Sequence, residues 1–266
     1  MITTSTGVAE LGTILGIWAH PDDEAYLSGG LMAIARDLGA RVVCVTATRG
    51  ERGTADPITW PPDRLAAART VELARCLGIL GVDEHHWLDY ADGGCASADT
   101  AAAVHGLSGI IDRVRPDTVL TFGPDGFTGH PDHRAVAGWA AAAVDRAGRP
   151  GTRLLQAAAS HSRHERWGPL NERLGVFEPG FPMLVPDDRL AVGLDLAPGI
   201  AARKVQALTA QLTQTAGLIQ TLGLRTYTDW VGEESFVERP AGPPARSMPG
   251  QVAVDGVPAD GQHRPG

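Results

Sequence analysis

An apolar run that ends abruptly in polar side chains constrains this chain more than any other feature. Residues 13 to 19 are mostly apolar, and the segment His20-Pro-Asp-Asp-Glu24 follows them directly. Proline supplies no amide hydrogen to a β-ladder, so Pro21 ends the short buried strand that the apolar run predicts. The polar cluster is therefore expected just beyond the carboxyl end of a strand.

The residues that follow this cluster predict a helix. Ala25 to Leu38 place apolar residues at helical spacing, with Asp22 or Asp23 available as N-cap and Gly39 as the stop. In open parallel α/β sheets, ligands bind outside the carboxyl ends of the strands, where such a turn lies. The simpler alternative is that the two aspartates only cap the helix and that His20 is a solvated loop residue.

A second turn of the same kind occurs near the middle of the chain. The segment Gly129-His-Pro-Asp-His-Arg134 follows an apolar strand predicted at Thr118 to Phe122, and it precedes a helical pattern from Ala135 to Val144. Helix capping alone does not explain two His-Pro-Asp turns at two strand ends. The repetition therefore favours a functional site over a structural cap.

Length and composition favour one large domain. The chain has 266 residues, of which 43% are hydrophobic and only 5% aromatic, a balance that suits closely packed helices on a sheet. Strand patterns alternate with helical ones, which predicts right-handed crossovers and a mostly parallel sheet. We expect a Rossmann-like three-layer α/β fold with helices on both faces over residues 1–238, followed by a flexible Pro- and Gly-rich tail at 239–266.

The remaining elements are predicted from periodicity and from turn residues. One segment has no regular pattern: His161 to Pro186 is irregular and Pro-rich, and we interpret about 160–190 as a lid or specificity segment. His161 and His164 have a spacing that a metal could use, but two surface histidines are the simpler interpretation. Strands are predicted at residues 40–47, 85–88, 153–159 and 190–194. Helices are predicted at 63–77, 99–115 and 198–222, and Gly78 is expected to end the helix at 63–77.

Charge and cysteine content exclude several classes of protein. The formal charge of -8, with basic residues spread along the chain, argues against nucleic-acid or anionic-membrane binding. No long apolar run or signal peptide is present, so we expect a soluble cytoplasmic protein. Cys44, Cys76 and Cys95 form no Cys-x-x-Cys pair, and at least the first two are expected to be buried small hydrophobes.

The two His-Pro-Asp turns together have the composition of a catalytic zinc site. Such sites use three protein ligands plus solvent, and imidazoles with a carboxylate suit zinc. His20 and Asp23 from the first turn and His133 from the second would supply the ligands. Asp22 would then lie beside the metal, free to accept a proton from a bound water.

In these motifs the chain resembles the LmbE-like, or PIG-L, superfamily of zinc-dependent N-deacetylases, which act on GlcNAc-inositol conjugates and glycopeptide antibiotics among other substrates. The resemblance rests on Ala19-His-Pro-Asp-Asp-Glu24 and Gly129-His-Pro-Asp-His133 and covers roughly residues 12–236. It extends to the Thr-Arg-Gly-Glu loop at 48–51, the helix at 64–77, the Tyr-Ala-Asp-Gly loop at 90–93 and the helix that carries Lys204.

The resemblance implies one Zn²⁺ per chain, held by His20, Asp23 and His133, with Asp22 as the general base. It also implies that His130 protonates the leaving amine or stabilises the oxyanion, and that Asp132 orients His130. The late helix departs from the family pattern, which often has His and Ser before a Gln. The residues at those places here are Gln211, Thr213 and Gln214.

The implied reaction is hydrolysis of an N-acetyl or other N-acyl group on an amino sugar or glycoconjugate, a small-molecule partner. A homo-oligomer is compatible with the family. The alternatives are an amidase that acts on a larger conjugate such as a thiol adduct, and a non-catalytic carbohydrate-binding homologue. A dinucleotide-binding protein is disfavoured because no Gly-x-Gly-x-x-Gly follows the first strand. The residues expected to line the substrate side of the cleft are Arg49, Glu51, Arg64 and Asp92.

Overall fold

The computed structural model describes residues 1–240, and a seven-stranded sheet lies at its centre. The strands are β1 (Ile14–Trp18), β2 (Val42–Thr48), β3 (Glu84–Tyr90), β4 (Thr118–Phe122), β5 (Arg153–Ala157), β6 (Ala159–Ser160), β7 (Leu184–Val185), β8 (Val192–Asp195) and β9 (Glu233–Glu238). The sheet has the order β3-β2-β1-β4-β5-β9-β8. Its first five strands are parallel, and β9 is antiparallel to both of its neighbours. The two short strands β6 and β7 pair separately.

Helices cover the sheet in two layers. They are α1 (Ser5–Val8), α2 (Asp23–Asp37), α3 (Pro62–Leu80), α4 (Thr100–Val114), α5 (Pro131–Ala147), α6 (His161–Leu174), α7 (Pro198–Thr209), α8 (Leu212–Leu222) and α9 (Leu224–Val231). Helices α2, α3 and α7 pack against one another, while α4 packs against α5. The predicted three-layer α/β class is therefore confirmed. None of the helices in residues 1–240 is long and apolar enough to cross a lipid bilayer.

The central strands owe their position to uninterrupted apolar sequence. Every residue of β1, β2 and β4 is buried, as expected for parallel strands that helices cover on both faces. Trp18 at the end of β1 packs edge-on against Phe122 at the end of β4, with ring centroids 5.1 Å apart. This contact fixes the two strand ends from which the His-Pro-Asp turns emerge.

The strand order places both turns at one crevice. From β1 the chain adds β2 and β3 on one side, and β4 and β5 lie on the other side. Loops that leave such a switch point diverge to opposite faces of the sheet and open a crevice between the strand ends. His20 follows β1 and His130 follows β4, so the fold itself brings the two motifs together.

Helix α3 is longer than its sequence pattern predicts. The expected stop at Gly78 is wrong, because the helix continues to Leu80 and ends at Gly81, which has φ 81° in the left-handed region. Glycine adopts this conformation without steric cost, whereas Gly78 lies within the helix. The helix begins with Pro62 at its first position instead of being capped by Asp63.

Two further expectations about the second half of the chain are corrected. The helix predicted at 198–222 is two helices, because the chain breaks at Gln211, whose side chain is buried and donates to Glu24 at 2.8 Å. The segment from His161, expected to be irregular, begins with the fourteen-residue helix α6. Sequence periodicity also misses β9, which is short and carries three glutamates. Most of the predicted tail, from residue 241, lies outside the described residues.

Candidate metal centre and substrate cavity

The structure brings the three predicted metal ligands together in the crevice. His20 Nδ1 lies 3.1 Å from His133 Nε2, and Asp23 Oδ1 lies 3.4 Å from the same nitrogen. The other oxygen of Asp23 lies 3.7 Å from His20 Nδ1 and also accepts the backbone N–H of His20 at 2.8 Å. Asp23 therefore closes the first turn and faces the second.

These separations fit a tetrahedral metal. Four ligands placed at the usual zinc–nitrogen distance of 2.0–2.1 Å are separated from one another by about 3.3 Å. The two ring nitrogens of His20 and His133 and the Asp23 carboxylate lie close to this spacing. The donor set and its geometry are therefore suitable for a zinc-sized cation.

The His133 ring is held so that one nitrogen faces the cluster. Its Nδ1 lies 3.0 Å from the Gly126 carbonyl and 3.1 Å from Thr128 Oγ1, and the ring stacks on Phe122 with centroids 4.2 Å apart. A donor bond from Nδ1 to a carbonyl leaves Nε2 with a free lone pair. Burial lowers the pKa of His133 to about 4, so the imidazole is neutral, the form that binds metal.

The His20 ring is oriented by two carboxylates on its other side. Its Nε2 lies 3.1 Å from Asp92 and 3.4 Å from Asp132, so Nδ1 faces the cluster. Burial acts to lower the pKa of His20, but the hydrogen bonds to Asp132 and Asp92 outweigh it and raise the pKa to about 10, so a metal ion that binds Nδ1 has to displace a proton from this ring. Carboxylates behind a ligating histidine are the usual supporting arrangement of metal sites.

Several carboxylates lie buried in and around the cluster. Four of its carboxylates are at least nine-tenths buried: Asp23, Glu24, Asp92 and Asp132. Buried carboxylates are stable when they are paired or when they coordinate a cation. His20, His130 and His133 also have ring nitrogens within 4.8 Å of one another, so His130 is a second candidate for the third ligand.

Asp22 has a strained backbone and a polarised carboxylate. Its φ of 127° and ψ of -32° cost a non-glycine residue about 1–3 kcal/mol. Although it occupies the N-cap position of α2, its side chain makes no capping bond, and Arg69 approaches its Oδ2 at 3.2 Å. Burial raises the pKa of Asp22 to about 7, while Arg69 acts in the opposite direction. The interpretation as a simple helix cap is therefore wrong for Asp22.

His130 lies beside the cluster as the N-cap of α5. Its Nδ1 accepts the backbone N–H of Asp132 at 3.2 Å, and its ring centroid lies 5.1 Å from that of His133. The expectation that the Asp132 carboxylate orients His130 is wrong. That carboxylate accepts the backbone N–H groups of Gly93 and Cys95, at 2.7 and 3.0 Å, and faces His20.

A polar cavity of about 440 Å³ opens over the cluster. Its walls include Asp22, Asp23, His20, His130, His133, Arg52, Arg69, Asp92 and Gln214. Of the four residues predicted to line the substrate side of the cleft, one lines this cavity. Asp92 lines the cavity, and Glu51 lies behind it, where Oε1 accepts the Asp92 backbone N–H at 2.8 Å.

Like Glu51, the predicted substrate residues Arg49 and Arg64 do not line this cavity. Arg49 donates to Asp89 at 2.8 Å and to Thr70 at 3.0 Å, and its guanidinium lies 4.0 Å from the Trp87 ring centroid. Arg64 lies in the exposed first turn of α3, where it donates to the carbonyl of Thr59. Both arginine side chains are therefore bound by neighbouring protein groups. The order of the loops in the sequence does not reveal these partners.

Arg69 is the main residue of the cavity that sequence reasoning misses. It is only 3% exposed, and it donates to the carbonyls of Pro21 and Gly50. Its position on α3 lies on the buried stripe between Leu65 and Leu73. An arginine within the apolar stripe of an amphipathic helix is a signal that could have identified it, because buried charges need specific partners.

The chain also resembles known proteins in sequence. Residues 15–144 match the family model PIG-L, described as GlcNAc-PI de-N-acetylase. A 1D-myo-inositol 2-acetamido-2-deoxy-alpha-D-glucopyranoside deacetylase from Mycobacterium sp. (strain KMS) is 34% identical over 233 residues, which cover 76% of this chain and 73% of that protein. These similarities extend well beyond the two His-Pro-Asp turns.

Solved structures share the fold at lower sequence identity. The N,N'-diacetylchitobiose deacetylase from Pyrococcus horikoshii is 21% identical, with a TM-score of 0.59 over 86% of this chain and 84% of that one. A deacetylase of teicoplanin biosynthesis, in complex with teicoplanin, is 18% identical, with a TM-score of 0.62 over 85% and 97%. These structures agree with the predicted fold class. The predicted enzyme class, a deacetylase, agrees with the mycobacterial relative and the family model. The chain therefore belongs to the PIG-L family of GlcNAc-PI de-N-acetylases.

Proposed function

We propose that this protein is a zinc-dependent hydrolase that removes an N-acyl group from an amino sugar or glycoconjugate. One observation carries the proposal: His20 Nδ1 and His133 Nε2 lie 3.1 Å apart beside the Asp23 carboxylate, and all three residues line the polar cavity. The mycobacterial relative is named for deacetylation of a GlcNAc-inositol conjugate, which makes a related acetamido sugar the first substrate to test.

The proposed ligands are His20, Asp23 and His133. When bound by these residues, a zinc ion would supply Lewis-acid chemistry, which polarises an acyl carbonyl and lowers the pKa of a water molecule to about 7. His133 is kept neutral by burial, and Asp92 and Asp132 hold the far side of His20, so both rings present a nitrogen to the ion. The protein's part is thus to fix ring orientation before the ion binds.

Asp22 and His130 are proposed as the proton-transfer pair. Asp22 lines the cavity beside Asp23, and its pKa of about 7 suits a base that accepts the proton of the attacking water. His130 has Nδ1 occupied by the backbone of α5, which leaves Nε2 to donate to the departing amine or to the carbonyl oxygen. A binding protein would need neither group, which favours turnover over a non-catalytic role.

We expect His133→Ala to lose the metal ion. Its Nε2 has the short contacts to both other ligands, and two ligands hold zinc far less tightly than three. Metal content of the purified variant, measured by plasma emission spectrometry, is the readout. His105→Ala is the control: it removes an exposed histidine of α4, away from the cluster, and should retain one ion per chain. Full metal content in His133→Ala would overturn the ligand assignment.

Activity is tested by amine release from a panel of N-acetyl amino sugars and their inositol and alkyl glycosides. The zinc-loaded protein should release a free amine from at least one member, and a chelator should remove the activity, which zinc restores. Absence of amine release from every member by fully loaded protein would contradict the proposal.

Arg69 and Arg49 should respond differently to substitution. Arg69→Ala removes a buried guanidinium from the cavity wall, and loss of such charged hydrogen bonds should lower kcat/KM by roughly 10- to 100-fold. Arg49→Ala should leave kcat/KM unchanged, because its guanidinium contacts Asp89, Thr70 and Trp87 instead. Steady-state kinetics of both variants measure kcat/KM, and a melting curve for each variant shows whether it is folded. Equal losses in both would contradict this assignment.

A further inference from the structure

A second, more apolar cavity of about 280 Å³ continues from the polar cavity. The two share the Asp22, Asp23 and His133 region as a common wall, so an occupant of one can extend into the other. The apolar cavity lies under α6, α8 and α9, and its distinctive walls are Leu27, Phe127, Leu174, Leu218, Trp230 and Val231.

This apolar cavity is larger than an acetyl group requires. Three non-hydrogen atoms occupy less than about 100 Å³ if each takes the roughly 30 Å³ of a liquid water molecule. The space beside the cluster therefore suits a longer apolar segment, whether it belongs to the acyl chain or to the aglycone. Burial of such a segment would contribute affinity at about 25 cal/mol per Å².

Arg163 is the one arginine or lysine among the described residues that line the apolar cavity. Its guanidinium donates to the Glu233 carbonyl, and no carboxylate in residues 1–240 lies within 4.0 Å of it. Burial lowers the pKa of Arg163, in keeping with its position away from bulk water. A partly buried guanidinium on an apolar wall without a carboxylate partner is suited to an incoming anion.

The carboxylates near Arg163 have other partners. Glu234 binds Lys204 at 2.7 Å, and Glu233 binds Arg166. Asp187 accepts from Ser162 in a separate cavity, which Arg163 also lines. Asp22 and Asp23, which line the same apolar cavity, are bound by Arg69 at 3.2 Å and by the His20 backbone N–H at 2.8 Å, so these acidic groups also have donors of their own. The guanidinium of Arg163 has further N–H donors in one plane, which a carboxylate or phosphate can bind in a bidentate manner.

We infer that the preferred substrate carries an apolar segment that ends in an anionic group, bound by Arg163 in the apolar cavity. This inference rests on the proposed N-acyl hydrolase function and specifies its substrate class. The anion can sit at the end of the acyl chain or of the aglycone. In either case Arg163 is a specificity residue that contacts substrate at a distance from the scissile bond.

The test compares pairs of substrates that differ only in a terminal carboxylate. N-succinyl, N-adipoyl and N-suberoyl glucosamine are matched with N-butanoyl, N-hexanoyl and N-octanoyl glucosamine, and carboxyalkyl glycosides of N-acetylglucosamine are matched with alkyl glycosides. In the best pair, the carboxylate should raise kcat/KM by roughly 10- to 100-fold, the usual effect of a charged hydrogen bond. The series that shows the preference identifies whether acyl chain or aglycone carries the anion.

Arg163→Met should abolish this preference, and Arg163→Lys should retain part of it. The matched control is Arg166→Met, one turn further along α6, which also contacts Glu233 but does not line the apolar cavity. That variant should keep the full preference. Because the readout is a ratio between matched substrates, a general loss of rate cancels. Equal rates within every pair, or a preference unchanged in Arg163→Met, would overturn the inference.

Binding to an inactive protein separates this inference from the proposed function. Calorimetry with Asp22→Asn, with and without Arg163→Met, measures the same matched pairs without turnover. Tighter binding of the carboxylated member that depends on Arg163 supports the inference, whether or not the active protein hydrolyses any of the compounds. Absence of hydrolysis together with such binding overturns the proposed function alone. Equal binding, or no binding of any carboxylated member, overturns the inference itself.

Discussion

Asp22→Asn should lower the turnover number by about 10²- to 10⁴-fold, the usual contribution of a general base. The amide fills the same space but cannot accept a proton from the attacking water. The backbone around Asp22 is held by other contacts: Arg69 still donates to the carbonyls of Pro21 and Gly50, and Glu24 still accepts the backbone N–H of residue 22. The loss should therefore lie in chemistry and not in folding.

Metal content distinguishes this effect from loss of the site. Asp22→Asn should retain one ion per chain, because His20, Asp23 and His133 are unchanged, while the rate falls. Asp37→Asn, at the far end of α2 in an exposed pair with Arg203, is the matched control and should keep both metal and rate. Near-normal turnover in a zinc-loaded Asp22→Asn protein would remove Asp22 from the base role.

Lys204→Met should lower the free energy of unfolding by about 3–5 kcal/mol, the usual cost of leaving one partner of a buried ion pair uncompensated. Lys204 and Glu234 are both fully buried, and Nζ lies 2.7 Å from the carboxylate. Glu234 also accepts the backbone N–H groups of Gly30 and Leu31, while Lys204 donates to the Tyr26 carbonyl at 2.8 Å. The pair thus joins α7 and β9 to the middle of α2.

Urea denaturation measures this loss, and the neighbouring residue provides the control. Arg203→Met removes a partly exposed pair with Asp37 and should cost at most about 1 kcal/mol. Replacement of both partners, Lys204→Met with Glu234→Leu, should cost less than Lys204→Met alone, because no buried charge is then left unpaired. A Lys204→Met protein as stable as Arg203→Met would mean that Glu234 finds another cation or becomes protonated at no cost.

The sequence by itself determined the fold class and the position of the site. Fully apolar strands cannot face water, so the runs at 13–19 and 118–122 were expected as buried parallel strands. Proline cannot continue a strand, so Pro21 ends the first of them at the acidic cluster. Parallel strand ends share one edge of a sheet, which was sufficient to predict that the two His-Pro-Asp turns meet. These inferences depend on local properties of neighbouring residues.

Tertiary structure alone decided which side chains surround that site. Arg69 and Arg49 are both arginines near the same loops, yet Arg69 enters the cavity, whereas Trp87 and Asp89 hold Arg49 elsewhere. Asp132 supports His20 and not His130 because backbone N–H groups of a separate loop, at Gly93 and Cys95, fix its carboxylate. Such choices depend on hydrogen bonds between residues far apart in the chain, and local periodicity carries no information about them.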